Sequence, residues 1–466
     1  MKRPFSCFEA KFSKSIDFFS AMIYNVYILS QKTEETMKPT VTIEKLRQGG
    51  FNETLKLLYG HDENIINAQI NRYIAAIESF CKLYPQREDI FLFSAPGRTE
   101  VGGNHTDHQN GCVFAAAVNL DVIAVVSFHD EGIIRLKSKG HKANKIDLSQ
   151  LNANSRECGT SNAIIRGIAS KFKEKGVKIS GFDAYTTSDV LSGSGLSSSA
   201  AFEVLIGTII DKHYNNGNAG AVEIAKIGQY AENAYFGKAS GLMDQTVSSV
   251  GGFVYIDFNN TSAPIIKTCN FDFESAGHCL CITDTKGSHA DLTDDYVSIP
   301  TEMKQIAAFF GKDNLRQTDE DDFYRNISNI RKNCSDRAIM RAAHFFDENK
   351  RAGLEEKALS AGKFDQFLEI VKSSGESSAD LLQNLYSPKN PLNQEIPLAI
   401  MMSKHILKDK GAVRVHGGGF AGTIQAFVPI ELVKDYSDCM NSIFGDGSCH
   451  VLKIRSLGGF AFDMEV

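Results

Sequence analysis

The segment Leu191-Ser-Gly-Ser-Gly-Leu-Ser-Ser-Ser-Ala-Ala201 constrains this chain more than any other. It lies between a strand-like run at 182–187 and an apolar, helix-like run at 200–214. A flexible Gly/Ser linker would not be framed in this way. Glycines let a backbone approach a ligand closely, and a helix start offers free N–H groups at the positive end of its dipole. Serines add hydroxyl donors, and the whole reads as a phosphate cradle built from Gly193, Ser194, Gly195, Leu196, Ser197, Ser198 and Ser199. No Lys follows the last glycine, so this is not a Walker A loop. The third glycine of a dinucleotide fingerprint would fall on Ser198, so it is not that either.

Two further glycine clusters flank it in the chain. Val413-Arg-Val-His-Gly-Gly-Gly-Phe-Ala-Gly-Thr423 fits G-x-G-x-x-G at Gly417, Gly419 and Gly422. The residues after it, Thr423 to Val428, read as a strand where a dinucleotide motif needs a helix. The cluster is therefore a strand–loop–strand turn, serving either as a tight turn or as a place where backbone meets a ligand. Ser94-Ala-Pro-Gly-Arg-Thr-Glu-Val-Gly-Gly-Asn-His-Thr-Asp-His-Gln109 is denser in polar groups than a turn requires. A sugar site does require it, because every hydroxyl seeks a donor or an acceptor. His105 and His108 stand three apart around Asp107, but with no nearby Cys or third acid this does not read as zinc.

Composition narrows the function classes. Fifty basic residues against 56 acidic ones give a net charge of -6, with no basic run to meet nucleic acid. Ten cysteines without a CxxC, the closest pair being Cys279 and Cys281, point to a reducing, cytoplasmic compartment. No run of 18 apolar residues predicts a membrane span. Residues 1–36 resemble a signal peptide only weakly, lacking a small-x-small site, and are expected to be an unstructured extension with Met37 as a second possible start.

Periodicity predicts helices over 40–83, 161–174, 200–214, 221–236, 301–310, 335–351, 353–374 and 395–409. Strands are predicted at 90–93, ending at Pro96-Gly97, and the apolar stretch 112–128, broken by Asn119 and Asp121, reads with the turn at His129–Gly132 and the run Ile133–Leu136 as two or three strands joined by turns. Further strands are predicted at 182–187, within 251–284, and near 411–416, 422–429, 449–454 and 459–464. Strand and helix blocks without regular βαβ alternation give an α+β chain of two lobes.

Together the three clusters resemble the GHMP small-molecule kinases, and within them the galactokinase family. Gly97, Arg98, Val101, Gly103, His105 and Asp107 match the sugar-end signature Gly-Arg-x-Asn-aliphatic-Ile-Gly-Glu-His-x-Asp-Tyr. Gly193 and Gly195 to Ala200 match the phosphate signature, Gly241-Leu-Met-Asp-Gln245 the Gly-x-Met-Asp-Gln segment, and Ala231-Glu232 with Tyr235 the segment upstream. Gly417-Gly-Gly-Phe-Ala-Gly422 corresponds to the third motif, and His289 and Tyr296 repeat a His-x6-Tyr spacing. The departures are Glu100 for Asn, Asn104 for Glu, His108 for Tyr and Leu191 for Pro.

The resemblance implies a two-lobed GHMP kinase fold with mixed sheets, an N-terminal domain at 37–265, a C-terminal domain at 266–466 and the active site between them. It implies ATP-dependent phosphorylation of the C1 hydroxyl of galactose, with Mg²⁺, by a monomer that binds neither nucleic acid nor membrane. Galacturonate, which a Glu at 104 would repel, is the alternative sugar, and a non-catalytic sugar and ATP sensor is the alternative class. Asp244 and Arg98 are the implied catalytic pair. Asn104, His105, Asp107, Gly241 and Tyr296 are the implied sugar contacts, with Asn104 and His105 facing C6. Glu232 and a hydroxyl among Ser197–Ser199, Ser198 foremost, are the implied Mg²⁺ ligands, and Gly417, Gly418 and Gly419 close over phosphates and sugar.

Overall fold

The structure, a computed structural model, describes residues 38–191, 195–288 and 292–462. The expectations for residues 1–36 and for Gly193, Ser194 and His289 lie outside the described residues. Two sheets organise the chain, giving the expected two-lobed α+β architecture. The larger has eight strands: β1 (Phe91–Gly102), β2 (Cys112–Phe128), β3 (Ile133–Ser138), β4 (Ala143–Asp147), β5 (Gly181–Ser188), β6 (Phe253–Asp257), β7 (Ile265–Cys269) and β12 (Phe460–Ala461). Its main path runs β12-β1-β2-β5-β3-β4, with β6 and β7 paired off the lower half of β2. The smaller sheet is β11 (Cys449–Leu452), β8 (His278–Asp284), β10 (Thr423–Pro429) and β9 (Ala412–His416), in that order. Residue 265, the expected end of the first domain, opens β7, and β12 returns the C-terminal end to the larger sheet.

The N-terminal helices behave as their periodicity dictates. Glu63–Leu83 buries Ile66, Tyr73, Ile77 and Phe80 on one stripe and is capped by Asp62, whose carboxylate accepts from the backbone N–H of Asn64 and Ile65. The core under the two sheets is continuous: Phe427 of the smaller sheet packs on Phe273 and Phe367 at centroid distances of 5.4 and 5.1 Å. No helix among the described residues is long and apolar enough to cross a membrane.

Three expectations are corrected. The strand predicted to stop at Pro96-Gly97 runs on to Gly102, because a register shift between Pro96 and Arg98 absorbs the proline without breaking the pairing with β2. The stretch 112–128 is one strand of 17 residues. Asn119 and Asp121 are not turn residues: Asn119 trades backbone and side-chain bonds with Lys453, and Asp121 is fully buried as an ionic hub. The helix break expected at 352 falls between Asp336–Ser360 and Phe364–Ser377, and the helix Val433–Phe444 escaped notice.

Asp121 ties three segments together. It accepts from Tyr59 at 2.7 Å, from Arg72 Nη1 at 2.7 Å, from Arg455 Nη1 at 3.0 Å, and from Ser94. Burial alone would push its carboxyl up, but the two guanidiniums outweigh it and hold the group below its usual range. Removing one partner of such a buried set strands the others. Asp121→Asn is expected to cost about 3–5 kcal/mol in urea unfolding. A depressed folded-state value means this contribution is present above the unfolded carboxyl value of about 4 and is lost as pH falls through the folded one. The variant should therefore show a flatter acid limb than the parent.

Candidate active site

Strand β1 carries the site. Arg98 forms a two-pronged pair with Asp244: Nε to Oδ1 at 2.7 Å and Nη2 to Oδ2 at 2.6 Å. Asp244 sits in the first turn of Met243–Val250, where the helix dipole also favours a carboxylate. Ser197 Oγ donates to Asp244 Oδ2 at 2.7 Å. Burial works to raise the Asp244 carboxyl, but Arg98 and Ser197 prevail and hold it below its usual range. Arg98 also reaches the Gly195 carbonyl, and its own backbone N–H donates to Leu196 O at 3.0 Å. The guanidinium thus joins the sugar-end cluster, the Asp244 helix and the glycine–serine loop.

That loop ends as its sequence suggests. Gly195 has φ +73°, and a Cβ there would stand 3.0 Å from the His416 ring. Ser197, at φ 55°, stands at the N-cap position of Ser198–Tyr214 without a side-chain capping bond, and the first turn of that helix holds no acidic residue, which leaves its N–H groups suited to an anion. Leu196 is fully buried and anchors the loop instead of lining it.

The first and third clusters interlock. Asn104 Nδ2 donates to Glu100 Oε1 at 2.8 Å and to Gly417 O at 2.7 Å, and Asn104 Oδ1 accepts from Asn384 at 3.0 Å. His105 Nε2 donates to Gly418 O at 3.0 Å. Tyr296 OH donates to Gly419 O at 2.9 Å, while its ring lies so close to Gly418 that a Cβ there would come within 2.7 Å. Tyr296 therefore braces the glycine loop and is not among the cavity-lining residues, unlike the placement expected of it. Gly417, at φ +67°, faces open space.

A cavity of about 320 Å³ opens between these elements, with walls from residues 98–245 and from Gly417 and Gly418. Arg98, Asn104, His105, Asp107, Gly241, Asp244 and Glu232 all line it. Burial raises the Asp107 carboxyl, partly offset by His105. His108 lines it too: burial pushes its imidazole down to about 3, so the ring is neutral. Gln109 donates to His108 Nδ1 at 3.3 Å, which leaves the proton on Nε2.

Several residues that shape the site were missed. Glu348 accepts the backbone N–H groups of Gly103 and Asn104 at 3.1 and 3.3 Å, and His344 Nε2 donates to Asn104 O at 3.0 Å. The pair stands at i, i+4 on Asp336–Ser360, a spacing visible in the sequence but not distinguishable there from a surface pair. Arg414, inside the third cluster but not singled out there, pairs with Glu100 at 3.0 Å. Lys238 Nζ donates to Glu232 Oε1 at 2.8 Å, and Gln245 Nε2 bridges Glu232 and Glu203 at 2.9 Å each. Burial, reinforced by Glu232, pushes Glu203 up to about 9. Among the described residues no cluster of three or more His, Cys, Asp or Glu is arranged to hold a metal by itself.

Residues 78–128 match the galactokinase galactose-binding signature, and residues 162–252 match the GHMP kinases N terminal domain. The fold is similar to that of Lactococcus lactis galactokinase complexed with galactose, with TM-score 0.69 and 22% identity over 82% of this chain and 98% of that one. Methanococcus jannaschii mevalonate kinase is similar at TM-score 0.55 and 16% identity, covering 78% and 98% of the two chains. A D-glycero-D-manno-heptose 1-phosphate kinase from Bacteriodes thetaiotaomicron follows at TM-score 0.51 and 14% identity, covering 80% and 99%. The galactokinase galactose-binding signature thus covers the first polar cluster, the GHMP kinases N terminal domain covers the glycine–serine loop, and the fold is similar to that of these kinases.

Proposed function

We propose that this protein transfers the γ-phosphoryl group of ATP to the anomeric hydroxyl of galactose. The observation that carries the reading is the Arg98–Asp244–Ser197 constellation, set where the glycine–serine loop meets the sugar-side cluster. Sugar oxygen O1 attacks the γ-phosphorus, the bond from that phosphorus to the β,γ-bridging oxygen breaks, and ADP departs. The O1 proton passes toward Asp244. A carboxylate held below its usual range is a weak base toward a resting hydroxyl. It suits a loose transition state, in which the proton leaves late and positioning does most of the work. Arg98 keeps Asp244 ionised and places positive charge beside the transferring group. Asp107, close to Gly241, is positioned to accept from ring hydroxyls.

Mg²⁺ fits the acidic corner of the cavity. Glu232 lines the cavity and is held by Gln245 and by Lys238, whose side chain is 59% exposed, while Glu203, behind Gln245, has a buried carboxyl oxygen, Oε1, with no partner. Mg²⁺ is commonly held by one or two carboxylates plus substrate phosphates, so a full protein cage is not needed. Glu232 and Ser198 would hold it, and it would neutralise phosphate charge. The cysteines among the described residues are all unpaired, which supports a cytoplasmic setting. A non-catalytic sensor has no need of an intact acid–arginine pair, which favours turnover.

Asp244→Asn is expected to fold normally and to lose at least ~100-fold in turnover, measured as ADP release with galactose and Mg²⁺·ATP. Near-parental turnover would remove Asp244 from the mechanism. Gly195→Val places a branched side chain at positive φ against the His416 ring. ATP affinity by calorimetry should drop at least ~10-fold while galactose binding persists. Unchanged ATP affinity would mean the loop does not meet phosphate.

A further inference from the structure

Two of the positions at which this chain departs from the family signature, Glu100 and Asn104, touch each other. Asn104, fully buried, has both N–H groups and its carbonyl engaged by Glu100, Gly417 and Asn384. It has no donor left for a sugar. Glu100 differs: Asn104 and Arg414 both donate to Oε1, and Oε2 accepts from no described residue. That second oxygen is not sealed inside the protein, and Glu100 lines the cavity.

We propose that Glu100, through Oε2, replaces Asn104 as the acceptor for the sugar hydroxyl remote from the anomeric carbon, and so selects a neutral hexose over its C6 carboxylate. The inference rests on the sugar 1-kinase reading and names its substrate class. Arg98 and Glu100 are two residues apart on β1 in unbroken register, paired with Ala117 and Ala115, so both project to one face. Two strand residues span about 7 Å, the scale of a hexopyranose. A sugar with its anomeric hydroxyl at Asp244 therefore brings its far end to Glu100.

A carboxylate accepts hydrogen bonds and donates none, so it welcomes a primary hydroxyl. A uronate brings a second negative charge and no proton. The cavity offers little to offset it: Arg98 is paired to Asp244, Lys238 to Glu232, and His108 is neutral. Arg414 is fully buried and pinned on Oε1, where it fixes the carboxylate but does not face the ligand. Asn104→Glu alone would set two carboxylates at hydrogen-bond distance around Arg414.

The test uses the full chain as parent, Glu100→Gln, and the exchange variant Glu100→Asn with Asn104→Glu. Galactose and galacturonate are titrated calorimetrically without ATP, and both are assayed for ADP release. The parent should favour galactose by at least ~100-fold in kcat/KM. Glu100→Gln should weaken galactose about 10-fold, chiefly in KM, and narrow the preference at least as much. The exchange variant, which returns a carboxylate to the same amide–carboxylate pair, should recover much of the preference and carries the test if Glu100→Gln does not fold. A parent that prefers galacturonate, or a Glu100→Gln preference within twofold of the parent's, overturns the proposal. If no sugar elicits ADP release, the kinase reading fails, and the calorimetric preference still decides the role of Glu100.

Discussion

Charge burial along strand β1 is the constraint on which the rest of the site depends. Ser94, Arg98 and Glu100 each meet a charged partner brought by a different part of the chain: Asp121 with Arg455, Asp244, and Arg414. An ionised group left unpaired at these depths would cost several kcal/mol. The C-terminal tail, the Met243–Val250 helix and the smaller sheet must therefore all dock on β1 before any of these charges is satisfied. Folding and assembly of the active site are in this respect one event.

The same accounting explains why the glycine loop at 417–419 has a defined shape without regular structure. Its three successive carbonyls accept from Asn104, His105 and Tyr296. Gly419 has φ +78°, and a Cβ there would lie 2.1 Å from Asn384 O, so only glycine allows that approach. A loop whose carbonyls are each taken in this way is held without a helix or strand. It leaves Gly417 facing the cavity, where bulk would obstruct a ligand.

Electrostatics then divides the cavity by role. Asp244 is kept ionised by Arg98, Asp107 is raised by burial, and His108 is neutral for the same reason. The Arg98–Asp244 side of the lining thus carries a fixed anion–cation pair, and the Glu100–His108 side carries hydrogen-bonding groups whose charge is suppressed or pinned. Lys238 and Glu232 pair at a third part of the lining, the lysine 59% exposed and the carboxylate buried.

Much of this was legible in the chain itself. The three glycine clusters, the Gly-Leu-Met-Asp-Gln segment and the amphipathic helices are local patterns, and local patterns survive folding because they arise from backbone freedom and side-chain periodicity. Asn119 and Asp121 misled because a polar residue within an apolar run looks the same whether it makes a turn or is buried with partners far away in sequence. Arg72, Tyr59 and Arg455, the partners of Asp121, are 49, 62 and 334 residues away. Tyr296 sits at the matching spacing yet faces the back of the loop, because a spacing carries no direction. The sequence by itself determined the groups available: a glycine–serine loop before a helix, an arginine and an aspartate in separate motifs, and a polar loop rich in short side chains. Only the tertiary structure decided which oxygen is left to meet the ligand, because that depends on which hydrogen bonds distant residues have already taken. At Asn104 they have taken all of them, and at Glu100 they have left one free.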